Sequence, residues 1–140
     1  MSDDFDLSLD ELSIDLSDVK LLDEAEYGFE IVGLKKEQTK PSEKNPDGFP
    51  TLRITFNIFM SEDGKSVGRR HFQGFPMVGQ QAFSTMALLT CLGLAEPGDE
   101  HLVLKGADLM GRRFMGYVQH RTDKQDRTFA EIRRFIEPLY

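Results

Sequence analysis

The sequence predicts a mainly β domain, five antiparallel strands with one helix between the third and fourth, preceded by an acidic arm. Three observations carry this reading. Leu52, Ile54, Phe56, Ile58 and Met60 alternate with Thr51, Arg53, Thr55, Asn57 and Phe59, the period of a strand with one buried face. An Asp63-Gly64 pair follows, suited to the positive φ of a tight hairpin, and Gly68 to Phe75 runs back as the next strand. Residues 1–26 hold ten acids against Lys20 alone, so the net charge of −7 belongs to the N-terminus and the remainder carries +2.

In chain order, Met1 to Asp18 is built from Asp, Ser and Leu. Its apolar residues Phe5, Leu9, Leu12, Leu16 and Val19 fit helical spacing, while Phe5-Leu7-Leu9 and Leu12-Ile14-Leu16 alternate as strands do, and both patterns stay open. The Asp and Ser content opposes an isolated helix, so residues 1–20 are expected to be a flexible arm and residues 21–140 the domain. Tyr27 to Leu34 reads as the first strand, with Tyr27, Phe29 and Ile31 on one face and Val32 and Leu34 on the other. Lys35 to Pro50 reads as a long loop with four lysines and three prolines. After the central hairpin, Gln80 to Leu92 has helical spacing, with Ala82, Phe83, Met86, Leu89 and Leu92 expected to pack on the sheet and Gly93 as the C-terminal cap. Arg112 to His120 and Thr128 to Ile136 complete the strands, and Pro138 is expected to end the last one. This order is that of the oligonucleotide/oligosaccharide-binding (OB) barrel. An open antiparallel sheet capped by the same helix, or another small barrel, has the same strand count.

No apolar run is long enough to span a bilayer, and the acidic N-terminus does not read as a secretory signal, so a soluble protein kept in its compartment of synthesis is expected. The single Cys91 excludes an internal disulfide and reads as a small core residue. His71, His101 and His120 lack the spacing of a zinc site, and Gly64-Lys65-Ser66 lacks the earlier glycine of a phosphate-binding loop. The expectation is a protein without enzymatic activity, metal or cofactor.

A basic pair followed by an aromatic occurs three times: Arg69-Arg70-His71-Phe72, Arg112-Arg113-Phe114 and Arg133-Arg134-Phe135. Each lies on an expected strand, so each pair sends one guanidinium to the outer face. Arg53, Arg69, His71, Arg113, Arg121 and Arg133, joined by Lys35, Lys36 and Lys40 of the loop, would then line a cationic groove with Phe59 and Tyr117 as stacking surfaces. Single-stranded nucleic acid asks for that combination of charge and rings. In the arm, Phe5, Leu9, Leu12 and Leu16 are candidates for holding a protein partner.

The motifs Tyr27-Gly28-Phe29-Glu30-Ile31-Val32, Gly68-Arg69, Leu92-Gly93-Leu94, Leu109 to Val118 and Phe135-Ile136-Glu137-Pro138 resemble a family of small, mostly uncharacterised bacteriophage proteins encoded near recombination and replication genes. The resemblance covers about four-fifths of the chain. It implies single-stranded-DNA binding on an OB barrel, in DNA replication or recombination, in the cytoplasm of the infected bacterium; replication or recombination proteins are candidate partners of the acidic arm, and self-association stays open. Proteins of that role often carry their acidic tail at the C-terminus, whereas here the acids are N-terminal, so the tail's partners are not carried over. The alternative is a protein-interaction module, such as a phage inhibitor or adaptor of a host protein, that binds no nucleic acid.

Overall fold

The computed structural model describes residues 11–14, 21–38, 48–79 and 82–139. Among these residues are five strands, β1 (Glu26–Gln38), β2 (Pro50–Ser61), β3 (Arg70–Pro76), β4 (Arg113–Thr122) and β5 (Thr128–Leu139), and two helices, α1 (Phe83–Cys91) and α2 (Gly106–Leu109), both between β3 and β4. The strands form one antiparallel sheet in the order β3-β2-β1-β4-β5. The expected barrel is therefore corrected to an open sheet, because β3 and β5 are its two ends and no backbone ladder joins them among the described residues.

The sheet is nevertheless strongly curled. Strands in a flat sheet lie about 4.8 Å apart, so β3 and β5 would be separated by roughly 19 Å. Instead the rings of Phe75 on β3 and Phe135 on β5 meet at 6.1 Å, and Phe56 on β2 reaches Phe114 on β4 at 5.7 Å across the intervening strand. The concave face holds the core: Phe29, Phe56, Phe75 and Phe114 are each 0% exposed, and Ile31, Ile54, Ile58, Val118 and Ile132 fill between them.

Four bulges explain where strict alternation fails. On β2, Phe59 is the extra residue between the pairs Phe29↔Ile58 and Gly28↔Met60, so Met60, expected in the core, is turned out and is 49% exposed. On β1, Val32 is the extra residue, and Leu34 returns to the core side three residues after Ile31. On β5, Arg133 and Ile136 are the extra residues, so that strict alternation from Ile132 breaks: Phe135 packs on the core and Ile136 is exposed. Pro138 does not end β5 but pairs with Phe114, tolerated because an edge strand needs hydrogen bonds on one side only.

The expected long loop is shorter, since β1 and β2 pair out to Gln38↔Pro50, which places Lys35 and Lys36 on a strand. Helix α1 is shorter than expected; it buries Leu88, and the capping residue Leu92 one turn on is buried too, while Phe83 points outward at 80% exposure. Gln80 and Gln81 lie outside the described residues. The helix closes as foreseen: Gly93 has φ 76°, its N–H donates to Thr90 and the Leu94 N–H to Leu89, the paired bonds of a Schellman cap. The packing of α1 against β5 and β3 sets it across one end of the space between the two sheet edges.

Candidate functional site: the seam between the sheet edges

The expected nucleic-acid face is corrected first. Cross-strand partners in an antiparallel sheet share a face, and β2 pairs with β3 through Phe56↔His71 and Ile54↔Gln73. His71 and Gln73 therefore belong to the concave side, and His71 is 6% exposed. Arg70 and Phe72 face outward in their place, and Arg69 precedes the strand and is half-buried.

The outward cations do not form a stripe. Arg53 and Lys35 share Glu37 at 3.7 and 3.4 Å, Arg113 pairs with Glu30 at 3.5 Å, and Arg121 and Arg133 share Glu131 at 3.1 and 2.7 Å. These are three separate clusters, in which five cations share three carboxylates. Phe59 is not an open stacking surface, because the Arg113 guanidinium lies 4.8 Å from its ring centre and the ring covers Gly28. Tyr117 is half-buried opposite Arg134, and Lys36 is exposed opposite Leu52. Lys40, Phe5, Leu9 and Leu16 lie outside the described residues, and Leu12 stands 66% exposed. With the barrel open and these arginines matched by carboxylates, the groove on which single-strand binding rested is not formed, and that expectation is withdrawn.

What the fold does bring together is the seam where β3 faces β5. The Gln73 side chain bridges it, its Oε1 accepting the Ile132 N–H at 2.8 Å and its Nε2 donating to the Ile132 carbonyl at 3.3 Å. A side-chain amide thus makes the two-point bond that a neighbouring strand's backbone would make. Because a backbone N–H can only donate, the Gln73 atom facing it is the oxygen. The same oxygen lies 2.8 Å from His71 Nε2, so Nε2 carries the proton and donates. Burial holds the His71 ring neutral by pushing its pKa below the ordinary 6.5, against a smaller opposite pull from Gln73 and Glu131. The ring packs on Phe56 and Phe29, with centres 6.0 and 5.9 Å away. The seam's bridge is thereby fastened to the core.

Beside the bridge a groove of about 430 Å³ runs between the seam and α1, lined by Phe83, Ala87, Ile132 and Phe135 and by the polar Gln73, Ser84, Glu131 and Arg133. Arg70 on β3 and Arg134 on β5, one on each edge strand, have side chains without an ion pair or hydrogen bond among the described residues. Sequence reasoning placed His71 on the wrong face and did not single out Gln73, which shares the face of His71 two residues on. Its signal was a polar residue at an inward position between His71 and Phe75, readable only once the β2–β3 register is known.

Among the described residues no cluster of three or more His, Cys, Asp or Glu side chains could hold a metal ion, and no helix is long and apolar enough to cross a membrane. Burial raises the Cys91 thiol's pKa, the opposite of what an activated nucleophile needs. In comparison with known proteins, no family model and no curated protein matches the chain.

Proposed function

We propose that the protein is a non-enzymatic interaction module that accepts an extended segment of a partner polypeptide at the β3–β5 seam. The observation that carries this reading is the Gln73 bridge: β5 presents a backbone N–H and C=O at Ile132 that only a side-chain amide covers. A partner strand would replace the amide with its own backbone, in the manner of strand addition to a sheet edge. Specificity would come from Phe83, Ala87 and Phe135, the apolar part of the groove beside the Glu131–Arg133 pair, for an apolar side chain, and from Arg70 and Arg134 for acidic ones. Edge strands left open invite pairing with other chains, and a removable intramolecular cover is one way to keep such an edge from unwanted association.

A display library of random twelve-residue peptides, panned on the immobilised full chain, tests this. The expected outcome is enrichment of peptides with alternating apolar and acidic residues whose synthetic forms shift the amide resonances of Gln73, Ile132 and Arg134. No enrichment, or shifts confined to the convex face around Phe59 and Arg113, overturns the proposal.

A further inference from the structure

We propose that the cavity at the start of β4 binds a carboxylate carried on an apolar body, either a small acid or the free end of a peptide chain, with Arg112 as its anchor. The site shares no lining residue with the groove beside the seam, so it stands or falls apart from the strand-addition reading. Its backbone frame, its uncompensated charge and its apolar wall carry the inference.

The backbone builds the cavity. The bonding between β1 and β4 continues past Arg113, since the Ile31 N–H donates to the Arg112 carbonyl at 2.9 Å and the Gly111 N–H donates to the Ile31 carbonyl at 2.8 Å. Glu30 on β1 and Leu139 on β5 are the cross-strand partners of Arg113, and Leu92, the capping residue of α1, lies against the same space. With Gly111, Arg112 and Pro138 these residues enclose about 360 Å³, toward the lower end of the roughly 300–1,000 Å³ of small-molecule sites.

The charge is what remains after internal pairing. Arg113 is committed: its Nε lies 3.5 Å from Glu30 Oε2, and its guanidinium lies 4.8 Å from the Phe59 ring centre. Arg112 is half-buried, its Nε donates to the Asp108 carbonyl at 3.0 Å, and among the described residues no carboxylate stands within ion-pair distance of it. That single bond holds the planar fork in place and leaves its two Nη groups for a ligand. Two arginines against one glutamate give the lining a net charge of +1, which a monoanion balances and a phosphate dianion exceeds. A half-buried cation without a counterion favours anion binding, and the guanidinium plane matches the two oxygens of a carboxylate. Leu92, Pro138 and Leu139 make the rest of the wall apolar, so the group behind the carboxylate is hydrocarbon or an aromatic ring.

The test titrates benzoate into the isotope-labelled full chain and follows the amide resonances of Gly111, Arg112 and Leu139, with benzamide and inorganic phosphate as parallel probes. Benzoate should shift these amides saturably with a Kd of about 1 mM or tighter, and neutral benzamide should bind at least about tenfold more weakly. Arg112→Gln should weaken benzoate binding about tenfold, and Arg112→Lys, which keeps the charge without the fork, by less. Glu30→Gln should strengthen it severalfold, because Arg113 is then released to the cavity; a purely structural role for these residues would not raise affinity. That variant also keeps the proposal falsifiable if thermal melting shows Arg112→Gln to be unfolded. An acetylated tripeptide ending in leucine separates the two sources of carboxylate: with a free C-terminus, binding tighter than benzoate and lost on amidation assigns the site to a chain end, and binding no tighter assigns it to a small acid. Equal affinity for benzoate and benzamide, binding of phosphate alone, shifts scattered away from the start of β4, or a Glu30→Gln variant that binds benzoate no better would each overturn the site.

Discussion

Replacing Gln73 by alanine should be the most informative change in the protein, because one side chain satisfies three groups at once. Gln73→Ala strips the Ile132 N–H, the Ile132 carbonyl and the His71 Nε2–H of their partners. Ile132 is 1% exposed and His71 6%, so solvent cannot fully replace the lost bonds. At about 0.5–1.5 kcal/mol for each hydrogen bond, more where a group is left unsatisfied, the expected destabilisation is about 2–4 kcal/mol. Urea titration of wild type and variant at pH 7.5 measures it as a lower midpoint with unchanged slope. Hydrogen exchange adds the site: the Ile132 amide should lose its protection while Phe56 and Phe114 keep theirs. Gln73→Glu separates acceptor from donor. Its carboxylate still accepts from Ile132 and His71 but faces the Ile132 carbonyl with a second acceptor, so the loss should be partial and the His71 pKa should rise. If Gln73→Ala costs under about 0.5 kcal/mol and leaves Ile132 protected, the bridge does not hold the seam and the strand-addition argument loses its basis.

Three further outcomes are expected. Gly28→Ala should destabilise by about 1–2 kcal/mol, because a Cβ there would sit 2.9 Å from the Phe59 ring, and the displaced ring would abandon Arg113; thermal melting and the Phe59 ring resonances check it. Lowering the pH from 7.5 to 5.5 should weaken the fold through His71: its native pKa lies below 6.5, so the unfolded chain takes up a proton that the native state refuses. That loss is absent above about pH 6.5, grows by at most about 1.4 kcal/mol per pH unit below it until the native pKa is reached, and should shrink in His71→Asn. Phe114→Ala should cost about 3–5 kcal/mol by denaturant titration, whereas Phe83→Ala, at 80% exposure, should leave stability within about 0.5 kcal/mol and weaken only peptide binding at the groove.

Much of the element order was legible from the sequence, and the reasons are local. The alternation of Ile54, Phe56 and Ile58, the Asp63-Gly64 turn with φ 70° at Gly64, and Gly93 closing α1 each express a preference of a few adjacent residues, which the fold had no cause to override. The short helix α2 has no counterpart in the sequence reading, because four residues carry no usable period. Bulges were invisible for a related reason. Nothing at Phe59, Val32, Arg133 or Ile136 marks an extra residue, since a bulge is a mismatch of length between two strands and exists only when they pair.

The site depended on tertiary structure altogether. By itself the sequence determined five strand-forming segments, their turns, a helix with its cap, and the concentration of acid at the N-terminus, because propensity, turn chemistry and charge are properties of neighbouring residues. Which arginines meet carboxylates was decided by register: Glu30 and Arg113 are 83 residues apart and become partners only when β1 lies beside β4. That β3 and β5 end the sheet, and that curling brings them close enough for Gln73 to span them, follows from the twist accumulated over five strands and from the packing of Phe29, Phe56, Phe75 and Phe114 within it. A side chain standing in for a strand has no sequence signature, because its partner is a backbone 59 residues away.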